Sequence, residues 1–88
     1  MKLKSGIVID QRESEYIAVA TGEAARSFNG LIRNNKTADF ILKELMSDRT
    51  EDELIAAITA KYDVDESRAR LDVKRIINTL KEVNLLDY

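Results

Sequence analysis

The spacing of apolar residues differs between the two halves of the chain. Up to Ile32 they form short runs rich in β-branched side chains, which is typical of strands. After residue 37 they recur every three to four residues, the spacing of one face of an amphipathic helix. Residues 28–46 join the two halves. The pattern therefore predicts an α+β fold in which a small antiparallel sheet of three strands leads directly into three helices.

The three predicted strands cover residues 6–10, 16–20 and about 27–33. Polar residues 11–15 predict a hairpin connection, and residues 23–27 predict a loop or a single helical turn. The pair Asn29-Gly30 has two interpretations, a two-residue hairpin turn or a part of the third strand with Gly30 as a bulge. We favour the third strand, because Leu31 and Ile32 need pairing partners.

The three predicted helices are marked by residues that cap helix ends. The first runs from about residue 36 to 47, with Asn34 or Asn35 as its cap, and the second starts at Thr50 with Glu53 in the capping-box position. Asp65 caps the third helix, and Asn84 is a left-handed terminator after which Leu85 and Leu86 return to the core. The predicted core positions are Ile41, Leu42, Leu45 and Met46, then Leu54, Ile55, Ile58 and Tyr62, then Ala69, Val73, Ile76, Ile77, Leu80 and Val83.

Length and composition predict one small domain over residues 1–88. No apolar run approaches the roughly 20 residues that a membrane helix needs, and the first residues do not resemble a signal peptide. The chain has no cysteine and therefore no disulfide that would indicate secretion. These features predict a cytoplasmic protein without a membrane partner.

The residue types argue against an enzyme. Without histidine or cysteine, the chain lacks the commonest general base, the best metal ligands and the most reactive nucleophile. The carboxylates 51–53 and 63–66 lie at predicted helix starts, where the helix dipole favours negative charge, and the second group lacks the glycine and glutamate of a calcium loop. We therefore expect no catalytic residue, no metal and no cofactor.

A helix-turn-helix hypothesis arises from the second and third helices, which with the strands make a winged helix-turn-helix-like arrangement. It predicts a DNA-binding regulator, and the basic residues that would serve it are Arg68, Arg70, Lys74 and Arg75. The charge balance argues against binding of nucleic acid, because the chain contains 14 basic residues and 16 acidic ones. Together with Lys81, these basic residues are either a solvated face of the third helix or a surface for an acidic ligand. Leu71 points nearly opposite the apolar stripe and slightly favours the ligand surface.

Six stretches of the chain occur in the order and spacing of a known family. They are residues 19–25 (VATGEAA), 28–32 (FNGLI), 35–38 (NKTA), 49–54 (RTEDEL), 62–65 (YDVD) and 84–86 (NLL). In these stretches the chain resembles the PqqD-like family, the recognition domains of ribosomal peptide natural-product pathways. Asn34 departs from the family pattern, which usually has an apolar residue there.

The resemblance implies a non-catalytic module that binds the leader segment of a precursor peptide and delivers it to a modifying enzyme, often of the radical S-adenosylmethionine type. The leader is expected to add as a strand to the edge of the third strand and to pack on the third helix. The implied peptide-binding residues are Asn29, Leu31, Ile32 and Arg33 on the edge, with Leu71, Lys74, Arg75 and Asn78 on the helix. Periodicity leaves open which flank of the helix faces the peptide.

Two further alternatives remain open at the level of sequence. The chain could be a subunit that only docks on an enzyme. An open sheet edge also permits a homodimer or a strand swap, because its unpaired backbone groups can pair with a second copy.

Overall fold

The computed structural model describes residues 1–12, 15–27 and 31–87, and within them the chain forms five strands and four helices. The α+β class is confirmed, but the sequence analysis predicted fewer strands and fewer helices. The elements are β1 (Lys2–Leu3), β2 (Ile7–Arg12), β3 (Glu15–Ala20), α1 (Gly22–Ser27), β4 (Leu31–Asn34), α2 (Lys36–Glu44), α3 (Glu51–Lys61), α4 (Glu66–Glu82) and β5 (Leu86–Asp87).

The predicted antiparallel sheet of three strands is present, in the order β2-β3-β4. Val8 of β2 pairs with Val19 of β3, and Ala18 of β3 pairs with Ile32 of β4, so β3 is paired with a strand on each side. Side chains alternate between faces: Ile7 and Ala18 are buried against the helices, whereas Val8 is 52% exposed. One face of this sheet therefore closes the core.

In the described residues the third strand covers Leu31–Asn34. The expected strand began at about Ser27, but Ser27 ends the short helix α1, which corresponds to the predicted single helical turn. The two interpretations of Asn29-Gly30 lie outside the described residues. The strand continues one residue further than expected, through Asn34, so Asn35 alone remains as the cap of the next helix.

A second sheet of two strands was missed by the sequence analysis. β1 and β5 pair antiparallel, with Leu3 opposite Leu86. The Leu3 amide also donates to the Leu45 carbonyl at 2.8 Å, which ties this sheet to the end of α2. Two-residue strands at opposite ends of a chain have too little sequence pattern to reveal such a pairing.

The helix starts match the predicted caps. The Asn35 side chain accepts from the Ala38 amide at 2.8 Å, and the Asp65 carboxylate accepts from the Arg68 amide at 2.8 Å. Thr50 forms the complete capping box of α3. These caps satisfy amide groups that have no partner inside their helices.

The first long helix, α2, ends earlier than predicted. Its last residue is Glu44, and Leu45 is the C-cap. Met46, predicted as a core residue, therefore lies beyond the helix and is 55% exposed. The Leu45 carbonyl accepts a hydrogen bond from the Leu3 amide of β1 instead, and the chain leaves the helix at Leu45.

The end of α4 follows the predicted left-handed turn. Asn84 has a φ of 57°, its amide donates to the Lys81 carbonyl, and the Leu85 amide donates to the Leu80 carbonyl at 2.9 Å. This pair of bonds is a Schellman motif, which returns Leu85 fully into the core.

The largest fully buried side chains are Ile41, Leu42, Leu45, Leu54, Ile58, Val73 and Leu85. No helix in the described ranges has the length and apolar character needed to cross a bilayer.

Candidate functional site

A cavity of about 300 Å³ lies where β4, the start of α2 and the middle of α4 meet. This volume is at the lower end of the range of ligand pockets, about 300–1,000 Å³. Its walls come from β4 and the α2 cap on one side and from one flank of α4 on the other. The lining residues are Ile32, Asn34, Asn35, Thr37, Ala38, Leu42, Arg68, Asp72, Arg75, Ile76, Thr79 and Leu80. We call this cavity the β4–α4 groove.

Strand β4 borders the groove and is an outer strand of its sheet. It pairs with β3 on one side, and among the described residues no strand pairs with its other side. An edge strand presents backbone amide and carbonyl groups to an additional strand. The groove therefore combines a pairing edge with a side-chain pocket.

The floor of the groove is apolar. Leu42 and Leu80 are each 2% exposed, and the partly buried Ile32 and Ile76 pack against the same core. Because the floor belongs to the core, its shape is fixed by packing before any ligand arrives. The groove offers an apolar side chain a surface that is already formed.

The α4 wall of the groove is polar and carries an excess of positive charge. Arg68 and Asp72 form an ion pair, with 3.5 Å between Nε and Oδ2. Arg75 forms no ion pair with any residue in the described part of the chain, and its side chain is exposed. Opposite lies the first turn of α2, whose amide groups carry a partial positive charge. The wall and the helix start together favour an anionic group.

Asn34 supplies a further polar group on the strand side. Its side-chain amide nitrogen is buried and has no hydrogen-bond partner. Leaving such a donor unpaired costs about 1–3 kcal/mol. Asn34 therefore holds a buried donor at the border of the groove, which would gain a hydrogen bond if it turned toward an incoming acceptor.

Some of the peptide-binding residues predicted from sequence line this groove and others do not. Ile32 and Arg75 line it. Leu71 is 53% exposed, and Lys74 and Asn78 are also exposed, but none of these three lines the cavity. Of the three remaining predicted residues, Leu31 and Arg33 belong to β4, and Asn29 lies outside the described residues.

Several lining residues were not predicted as binding residues. On α4, positions 68, 72, 75, 76 and 79 follow helical spacing and form one stripe beside the buried one. Asn34, Asn35 and Thr37 were considered only for capping or as a departure from a family pattern. The sequence feature that could have identified the α4 lining residues is this second stripe, in which charged and apolar residues occur together at helical spacing.

Other polar clusters have structural partners. Arg70, a residue of the DNA-binding hypothesis, lies 2.9 Å from Glu66 and 3.9 Å from Asp52. Glu53 completes the capping box, and Asp65 caps α4. Within residues 1–12, 15–27 and 31–87, no group of three or more acidic, histidine or cysteine side chains is placed to hold a metal.

Comparison with known proteins gives matches at the levels of family and fold. The family model described as "Coenzyme PQQ synthesis protein D (PqqD)" matches residues 7–86. No curated protein sequence matches significantly.

Two solved structures share the fold, each with 20% sequence identity. The first is described as TbiB1 in complex with the TbiA(beta) leader peptide; it has a TM-score of 0.76, and the match covers 99% of this chain and 95% of that one. The second is described as lasso peptide synthetase B1 complexed with the leader peptide; it has a TM-score of 0.70, with 96% and 93% covered.

Proposed function

The chain belongs to the PqqD family, and on that premise we propose that it is a non-catalytic module that captures the leader segment of a ribosomally made precursor peptide. The observation that carries the proposal is the unpaired side of β4 beside an apolar groove. Two proteins of the same fold are described as complexes with leader peptides, which supports the same class of ligand.

The proposed binding mode is strand addition. An extended peptide pairs with the free edge of β4, and its alternate side chains enter the groove. Backbone hydrogen bonds supply affinity for any extended peptide, whereas the groove supplies selection. The predicted residues Asn29, Leu31, Ile32 and Arg33 belong to the edge in this proposal, and Leu71, Lys74, Arg75 and Asn78 belong to the helix side.

We further propose that the bound leader is presented to a peptide-modifying enzyme in the cytoplasm, of the radical S-adenosylmethionine type that the family resemblance implies. The domain itself contributes binding and no chemistry.

A second copy of the chain could pair with the same edge of β4 and compete with the peptide. In that case the apparent peptide affinity falls as the protein concentration rises. Peptide titrations at several protein concentrations measure the affinity, and sedimentation measures the oligomeric state.

The DNA-binding alternative is not favoured. Two of its four basic residues, Arg68 and Arg70, already form ion pairs with carboxylates of the domain. A helix that reads DNA needs its basic groups available for phosphates. No observation in the fold supports a regulator over a peptide-binding module.

The first experiment is an amide-resonance titration of the domain with the leader segments of precursor peptides encoded near its gene, and with a DNA duplex in parallel at low salt. Peptide should shift resonances in β4 and in residues 68–80 of α4. Shifts caused by DNA alone, or no shift with either ligand, would overturn the proposal.

A proline pair then tests strand addition. Amides of successive strand residues point to opposite sides, so of Ile32→Pro and Arg33→Pro one removes a bond to β3 and the other a bond to the peptide. We expect one variant to remain folded, by circular dichroism, and to lose peptide binding. Full affinity in the folded variant would contradict strand addition at this edge.

A further inference from the structure

We infer that the β4–α4 groove selects peptides in which an apolar side chain and an acidic side chain stand two residues apart. The inference rests on the proposed function and adds the chemical class of the segment recognised. It depends on three observations, namely the apolar floor, the uncompensated Arg75 and the unpaired donor of Asn34, together with the general geometry of an added strand.

The apolar member follows from the floor. Ile32 and Ile76 are only partly buried, and they face the cavity beside the buried Leu42 and Leu80. Burying an apolar side chain on this floor removes apolar surface from water on both partners, which favours binding. A polar side chain at the same place would lose its hydration without finding a partner on the floor.

The acidic member follows from the charges around the floor. Asp72, the acidic residue that lines the groove, is held by Arg68 at 3.5 Å. Arg75 is left without a carboxylate partner in the described part of the chain, and the start of α2 adds a partial positive charge from across the groove. An arginine in such a position binds a carboxylate through two parallel hydrogen bonds.

Asn34 strengthens the preference for an acceptor. The residue as a whole is partly exposed, whereas its side-chain amide nitrogen is buried and unpaired. The last side-chain torsion of asparagine is soft, so the amide can turn toward the groove and exchange an unpaired state for a hydrogen bond. The peptide oxygen that it meets is a carboxylate or a carbonyl, since both accept.

The spacing follows from strand geometry. Side chains two residues apart point to the same face of a strand, about 6.6–6.8 Å apart, so both members can enter the groove together. From Arg68 to Leu80 the α4 wall is about 18 Å long at 1.5 Å per residue. An extended peptide covers this length with about five or six residues.

The test is selection from a displayed library of random peptides of about ten residues, long enough to cover the groove with some flanking chain. Enriched peptides should share an Asp or Glu two positions from an Ile, Leu, Val or Phe. A synthetic peptide made from that consensus is then titrated beside an isomer in which the acid is moved by one residue. We expect the isomer to bind about three- to tenfold more weakly, because its acid faces away from Arg75.

A charge exchange identifies the receiving residue. With Arg75→Glu, the library should enrich Lys or Arg in place of the acid, and the original consensus should bind about tenfold more weakly. Lys2→Glu is the matched variant, because it changes the net charge equally at an exposed position of β1, and Lys2 neither lines the groove nor belongs to the predicted peptide-binding residues. It should retain the acidic preference.

The outcomes separate this inference from the proposed function. Failure of wild-type protein to enrich any peptide overturns the proposed function and the inference with it. Enriched peptides without an acid, equal affinity for the shifted isomer, or equal effects of the two charge reversals overturn the inference alone. If Asn34→Ala changes the affinity of the consensus no more than Thr79→Ala, the donor of Asn34 has no part in the selection.

Discussion

Two glycines with positive φ predict different sensitivities to the same substitution. Gly6 lies in the turn between β1 and β2 with φ of 99°, and Gly22 begins α1 with φ of 54°. A Cβ added to Gly6 would lie 2.0 Å from the Thr21 carbonyl oxygen, whereas a Cβ on Gly22 would have nothing within 4 Å. Gly6→Ala therefore meets both an unfavourable φ and a backbone clash, and Gly22→Ala meets only the first.

The difference between the two variants can be worked from these contacts. A left-handed conformation costs an alanine about 1–2 kcal/mol, and the stiffer unfolded chain returns about 0.4–1 kcal/mol. Gly22→Ala should therefore lose about 0.5–1 kcal/mol of the free energy of unfolding. In Gly6→Ala the backbone must also move away from Thr21, whose amide and hydroxyl both donate to the Gly6 carbonyl, at 2.8 and 2.7 Å. Losing those bonds brings the total to about 2–4 kcal/mol.

The assay is urea unfolding followed by far-ultraviolet circular dichroism. For a domain of this size the urea slope is near the low end of about 1–3 kcal/mol/M, so the midpoint should fall by about 2–4 M for Gly6→Ala and by about 1 M or less for Gly22→Ala. Comparable losses in the two variants would refute the reasoning, because the unfavourable φ alone would then explain both. A slope changed by mutation would indicate an altered unfolded state instead.

Three further predictions concern the helices. Leu85→Ala should cost about 2–5 kcal/mol because the side chain is fully buried, whereas Leu71→Ala, at a 53% exposed site, should change the free energy of unfolding by less than about 0.5 kcal/mol; both are measured by urea unfolding. Thr50→Ala removes the side chain that caps α3 and should cost about 1 kcal/mol in the same assay. The hydrogen bond from the Thr50 amide lowers the pKa of the Glu53 carboxyl in the folded protein. The stability that the ionised Glu53 contributes is therefore fully present above the carboxyl pKa of the unfolded chain, and it is lost as the pH falls through the lower pKa of the folded state. Glu53→Gln should flatten the decline of the unfolding midpoint with acid, and an unchanged acid slope would contradict this assignment.

The parts of the fold that could be predicted from sequence are those specified by neighbouring residues. Asn35, Thr50 and Asp65 cap helices through bonds to amides three residues ahead, so the sequence alone contains both partners. Asn84 is equally local, because few residues other than glycine tolerate its left-handed φ.

The missed elements depend on contacts between distant parts of the chain. The pairing of Leu3 with Leu86 joins the two ends, and α2 stops at Glu44 because the Leu45 carbonyl is used by β1. Periodicity continued through Met46 and therefore predicted a longer helix. The position at which α2 ends depends on its contact with β1 in the folded chain, so the local spacing of apolar residues cannot reveal it.

The orientation of α4 shows the same limit at the candidate site. A helix turns about 100° per residue, so an apolar stripe identifies the buried face but leaves two equivalent flanks beside it. In the structure the flank of Asp72 and Ile76 lies across the groove from β4 and the start of α2. Beyond Arg75, on the side away from this flank, Leu71 and Asn78 lie about 40° and 60° around the helix. The helix wall predicted from sequence and the wall found in the structure therefore meet at Arg75, which makes the charge at that position the most direct test of how the groove selects its peptide.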